Sequence, residues 1–222
     1  LPLLVSSYIF FDSNKENNKR IDVIIVQPNV DPYKDKFIKG YKQQLAAFIN
    51  LARTNLTQET QLLIGPETAL LEEMWEESLE STYSVGLFRE LQQEFPNLNI
   101  LVGATTYKMF KDIEQKTSTA REIRNQGIFY DVYNSAVFIP DSGQIKVYHK
   151  KKLVPGAENM PFSYLLDPLA NLIVDLGGIS GSLGSGNYIN SFLVEKYVVS
   201  PLICYESVYG DMRLGKTNLL AI

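Results

Sequence analysis

An α/β sandwich of two sheets covered by helices is the fold this 222-residue sequence predicts. Three observations carry the prediction. Val-, Ile- and Leu-rich runs of strand length alternate with longer segments of helical apolar spacing. Clusters of Gly, Pro, Asp and Asn punctuate the boundaries between them. With 45% hydrophobic residues, the chain can also bury a substantial core as one domain.

In chain order, Asp22 to Gln27 reads as a buried strand from its Val and Ile content. After the Asp31-Pro32 break, Phe37, Tyr41, Leu45, Phe48, Ile49 and Ala52 recur at helical spacing. Gln61 to Gly65 is the next strand. A helix from Thr82 to Phe95 stops at Pro96, and Asn99 to Thr105 follows as a third strand. Asn134 to Ile139 and Gln144 to His149 form a hairpin across Pro140-Asp-Ser-Gly143, where Pro fixes φ and Gly tolerates a positive one. Ser163 to Leu176 has near-helical spacing that Pro168 kinks or splits. Gly177 to Gly186 is glycine-rich but lacks the Gly-Lys-Ser/Thr ending of a phosphate loop, so it reads as a mobile loop or a lid. Ser191 to Val194 and Tyr197 to Ile203 are two further short strands, and 218–222 reads as the start of another.

Charge and composition exclude some functions. The 25 acidic residues exceed the 21 basic ones, giving a net charge of −4. No basic excess exists to neutralise nucleic-acid phosphates, and the Lys150-Lys151-Lys152 triplet is too short to change that. One cysteine and one histidine leave no internal disulfide, no multi-histidine zinc site and little room for a Cys/His dyad. Neither a metal nor a cofactor is expected. No segment approaches the roughly 20 apolar residues that span a bilayer. Leu1 to Phe11 comes nearest, and reads either as the tail of a membrane helix or as an edge strand, with 12–20 as a polar linker.

Three reactive side chains stand at or just past predicted strand ends. Cys204 follows Val198-Val-Ser-Pro-Leu-Ile203, Glu67 follows Gln61-Leu-Leu-Ile-Gly-Pro66, and Lys150 ends Gln144-Ile-Lys-Val-Tyr-His-Lys150. A sheet fixes position there while the loop leaves the head group accessible. Together they suit acyl transfer. Glu67 takes the thiol proton, Cys204 attacks a carbonyl, and the Lys150 ammonium and the Tyr205 N–H face the oxyanion. The thioester then needs water or an amine to complete turnover. Each residue also has a plainer reading: Cys204 as a small buried hydrophobe, Glu67 as the cap of a helix beginning at Thr68, Lys150 as part of a solvated basic face.

The order and local spelling of these motifs resemble the nitrilase (carbon–nitrogen hydrolase) superfamily. Gly-Pro-Glu67, then Tyr148-His-Lys-Lys-Lys-Leu-Val-Pro155, then Cys204-Tyr-Glu206 reproduce its Glu-Lys-Cys chain order. The likeness runs from Ile24-Ile-Val-Gln-Pro-Asn29 through Tyr133-Asn-Ser135 to Cys204. Val26-Gln-Pro-Asn29, Leu153-Val-Pro155 with Glu158, Met160-Pro-Phe162 and Cys204-Tyr-Glu206 are most similar to the apolipoprotein N-acyltransferase branch.

The resemblance implies a nitrilase-like four-layer α-β-β-α sandwich. It makes Glu67 the general base, Lys150 the oxyanion-stabilising cation and Cys204 the acylated nucleophile, supported by Glu158, Tyr205 and Glu206. It further implies an enzyme that moves a fatty acyl group from phospholipid to the N-terminal α-amino group of a diacylglyceryl-modified lipoprotein. The place implied is the bacterial inner membrane, with the catalytic domain on the periplasmic side. The alternative is a soluble amidase or nitrile hydrolase with the same triad; a scaffold that keeps the fold without the chemistry is the non-enzymatic reading. On this view 1–20 is a connecting segment or the end of a membrane region, and 21–222 a catalytic domain incomplete at its C-terminus. Ser163 to Leu176 is then either an apolar lip for an acyl chain or a helix packed on the core. Two departures bear on lipid contacts: Gly156-Ala157-Glu158 stands where the family often has Phe-Gly-Glu, and 31–37 lacks a tryptophan often found there.

Overall fold

The structure, a computed structural model, describes residues 3, 5–7, 20–29, 40–123, 126–159, 182–212 and 217–221. Its larger sheet holds β1 (Val23–Ile25), β2 (Leu62–Ile64), β3 (Leu70–Trp75), β4 (Asn99–Phe110), β5 (Arg121–Ile123), β6 (Ile128–Ile139) and β7 (Lys146–His149). A smaller sheet holds β8 (Phe192–Val194), β9 (Tyr197–Pro201) and β10 (Leu219–Ala221). β1, β2 and β4 run parallel, with Val23 beside Leu62 and Leu62 beside Asn99. β6 returns antiparallel to β4, from Ile100 opposite Ile139 to Phe110 opposite Phe129, and β7 pairs antiparallel with β6.

Alternation along these strands sets the layers, because successive side chains point to opposite faces. Leu63, Ile100, Val102 and Val137 face two helices, α1 (Tyr41–Asn55) and α2 (Tyr83–Glu94). The helices bury Leu45, Phe48, Ile49 and Ala52 of α1 and Val85, Phe88 and Leu91 of α2. The Thr82 hydroxyl caps α2 by accepting from the Val85 N–H. Leu62, Ile64, Leu101 and Phe138 point the other way and pack on Phe192, Val194 and Val199 of the smaller sheet. Phe138 and Phe192 stack across that junction, with ring centroids 4.6 Å apart. The described residues thus build three layers, α-β-β, of the expected four.

The structure departs from the sequence reading in several places. β3 occupies a stretch not read as a strand: Glu72 and Glu73 break its apolar pattern. Glu72 is used there to accept from the Tyr41 hydroxyl and the Ser84 N–H. β4 continues past Thr105 to Phe110 because β6, which itself begins at Ile128, pairs with it throughout. Residues 3 and 5–7 are helical, so the edge-strand reading does not hold for them; the rest of 1–11 lies outside the described residues. The end of the glycine-rich stretch, 182–186, is tied down: the Gly184 N–H donates to Val132 O and the Gly186 N–H to Lys150 O. Residues 31–37 and 160–181, which include Met160-Pro-Phe162 and the Ser163 to Leu176 segment, lie outside the described residues. Among the described residues no helix is long and apolar enough to cross a membrane.

Candidate active site

The C-terminal ends of parallel strands from both sheets converge on one cleft of about 60 Å³, lined by Gly65, Glu67, Gly103, Pro201, Cys204 and Ala221 among others. Such strand ends are where loops can present side chains without breaking the sheet.

Glu67 arrives from β2. No helix starts at Thr68; a turn leads directly into β3. The Gly103 N–H donates to Pro66 O at 3.0 Å, drawing the Glu67 backbone against β4. A side chain at 103 would lie 2.0 Å from the Glu67 carbonyl oxygen, so glycine is required for that approach.

Lys150 leaves β7 and is 1% exposed, unlike a solvated basic face. Its Nζ lies 3.3 Å from Glu67 Oε1 and 2.9 Å from Glu158. Glu158 also accepts from the Val154 N–H at 2.8 Å. Burial alone would lower the Lys150 pKa, but hydrogen bonding to Glu158 and the charge of Glu67 outweigh it and hold the ammonium above the usual lysine value. Glu158 is shifted the opposite way: burial would raise it, yet the Val154 N–H, Asn134 and Lys150 keep it below the usual carboxylate value.

Cys204 is exposed, not a buried hydrophobe, and has a φ of +51°. That left-handed conformation is costly for a residue with a Cβ and turns the chain sharply after β9. Glu206 holds the turn. It is fully buried, and its carboxylate accepts from the Ile203, Lys151 and Lys152 N–H groups and, at 2.7 Å, from the Tyr148 hydroxyl. One side chain therefore binds the Cys204 turn to the lysine loop. Tyr205 and Tyr209 pack edge to face nearby.

The structure thus joins Glu67, Lys150 and Glu158 in direct contact and sets Cys204 on the cleft that Glu67 lines; the Cys204 thiol makes no hydrogen bond to Glu67 or Lys150. Two participants were not singled out from sequence. Tyr148 and Asn134 share the sheet face of Ala136 and Phe138 by alternation, and only strand pairing brings them to the site. A second groove, of about 700 Å³, lies on the opposite face of the same strands, walled by His149, Glu76 and Tyr133. Among the described residues no cluster of His, Cys, Asp or Glu could hold a metal ion.

Solved structures similar to this chain include a CN-hydrolase superfamily protein from Xanthomonas campestris, with a TM-score of 0.45 and 13% identity over 77% of this chain and 50% of that one. Another is an amidase from Nesterenkonia sp., with a TM-score of 0.47 and 11% identity over 88% of this chain and 60% of that one. In sequence the chain is similar to proteins named apolipoprotein N-acyltransferase. The one from Chlorobaculum tepidum is 25% identical over 218 residues, and the one from Haemophilus ducreyi 25% over 210. These alignments cover 94% and 93% of this chain but only 39% and 37% of the relatives, so the chain spans about two fifths of their length. No protein-family profile matches the chain.

Proposed function

We propose that this chain is the catalytic part of an acyltransferase that carries a fatty acyl group from phospholipid, as a Cys204 thioester, to the α-amino group of a lipoprotein's N-terminal residue. The observation that carries the reading is the strained, exposed Cys204 on the cleft of a Glu67 carboxylate that is itself paired with a buried lysine. The names of the curated relatives support the choice of donor and acceptor.

In the first half-reaction Glu67 accepts the thiol proton and Sγ bonds to the ester carbonyl carbon of the lipid. The carbonyl oxygen becomes an oxyanion that Lys150 and the Tyr205 N–H stabilise; that N–H lies in the first turn of a 3₁₀ segment, where it has no intrahelical acceptor. The carbon–oxygen bond to the lysolipid then breaks, and the leaving oxygen takes the proton back from Glu67. In the second half the amine attacks the thioester, Glu67 removes its proton, the carbon–sulfur bond breaks, and the departing thiolate takes that proton back from Glu67 to restore the resting thiol. A cleft of about 60 Å³ holds the reacting carbonyl and not a whole acyl chain, whose pocket would be several-fold larger. On this reading the acyl chain of the donor extends out of that cleft toward the membrane. This reading places the site on the periplasmic side of a bacterial inner membrane.

Phospholipid vesicles followed by a diacylglyceryl lipopeptide test it. A Cys204 adduct with the mass of the lipid acyl group, discharged by the lipopeptide with transfer to its amine, is expected. Labelling by small amides alone, with release of free acid, would instead establish an amidase.

A further inference from the structure

We propose that Asn134 is a positioning residue for Glu67: its side-chain amide bridges the two carboxylates that share Lys150, and so leaves Oε2 of Glu67 free to take the thiol proton. Asn134 Nδ2 lies 2.7 Å from Glu67 Oε1 and 2.7 Å from Glu158 Oε1. A carboxamide nitrogen has two hydrogens, and this one has two acceptors for them. The reverse orientation would aim the amide oxygen at two carboxylates, so the network itself fixes which atom faces the site. The described hydrogen bonds to Glu67 all end on Oε1. The same residue fixes the cation's backbone, because Asn134 O accepts the Lys150 N–H at 2.8 Å.

The electrostatics explain why a neutral donor is needed. One ammonium serves two carboxylates, leaving an uncompensated negative charge at short range, and like charges so close favour protonation of one of them. Two amide N–H bonds, one to each carboxylate, offset that repulsion without adding charge. Among the described residues Glu67, Glu158 and Lys150 are the charged groups facing this amide, with the Cys204 thiol across the cleft. Asn134 sits mid-strand in β6 opposite Thr105 of β4, so its position is set by backbone pairing and not by the site.

The test is the pH dependence of Cys204 alkylation by iodoacetamide, a probe that needs no lipid. Asn134→Leu removes the donors at similar size, and the acid limb of the rate profile is expected to rise by about one pH unit, a roughly tenfold slowing on that limb. Asn134→Asp keeps the shape and adds a third carboxylate, and its limb is expected to rise further. Folded variants that keep the wild-type limb would overturn the bridge. If neither variant folds, NMR of the unsubstituted protein decides: the Asn134 side-chain protons should exchange slowly and shift over the pH range in which alkylation falls, and protons that exchange freely or do not follow that range overturn it. The inference rests on the reading of Glu67 as base. Failure to form a phospholipid adduct with the alkylation shift intact would remove the proposed donor and leave the bridge standing.

Discussion

Glu206 illustrates how much one buried side chain can organise. With three backbone N–H groups and one phenol converging on it, exchanging carboxylate for amide forces an NH₂ group toward donors. Glu206→Gln is expected to lower unfolding free energy by about 2 kcal/mol in a urea titration, and Tyr148→Phe, which loses one bond to a charged acceptor, by about 1.5 kcal/mol. Both variants are expected to slow Cys204 alkylation, since the Ile203 N–H sets the turn that carries the thiol. Lys150 sits in the reverse situation, a cation among carboxylates. Lys150→Met strands Glu158 and is expected to cost about 3 kcal/mol, measured the same way.

At the scale of elements, strand ends place the reactive groups and one glycine sets their approach. Gly103→Ala drives a methyl into the Glu67 carbonyl. The expected outcome is a large loss of Cys204 reactivity with β4 still paired to β6, visible as preserved amide protection in that strand and slow alkylation. Glu67, Lys150 and Cys204 stand out in the sequence because each lies at or just past the end of a predicted strand, and Glu158 was added by the family resemblance. Asn134 was not legible in this way. It stands inside a strand whose alternation reads as ordinary pairing, and its contacts come from chain segments 67 and 24 residues away. β3 escaped for a related reason, since Glu72 spends its charge on Tyr41 and Ser84 and disguises the strand pattern. Burial and Glu72 together raise the Tyr41 pKa to about 12, so its phenol remains a donor to that carboxylate at neutral pH.

For the whole molecule, the two sheets meet through a buried apolar junction beside the cleft. Phe192→Ala empties the stack against Phe138 and is expected to cost about 3 kcal/mol by denaturant unfolding. The ion cluster sets a pH window for stability. Lys150, raised in the folded state, stabilises fully below the usual lysine value of 10.5 and loses that contribution as pH rises through its folded value. Glu158, lowered in the folded state, stabilises above 4.5 and loses its contribution as pH falls through its folded value. Stability is expected to be flat between these limits for this cluster, and Glu158→Gln to flatten part of the acid-side decline.

The most direct measurement of the account is intact-protein mass spectrometry after exposure to phospholipid, on the wild-type chain beside Glu67→Gln and Cys204→Ser. A single acyl adduct on Cys204 in the wild type, absent from both variants while their circular dichroism is unchanged, is the expected result. An equal adduct in Glu67→Gln, or acylation that persists after Cys204→Ser, would contradict it.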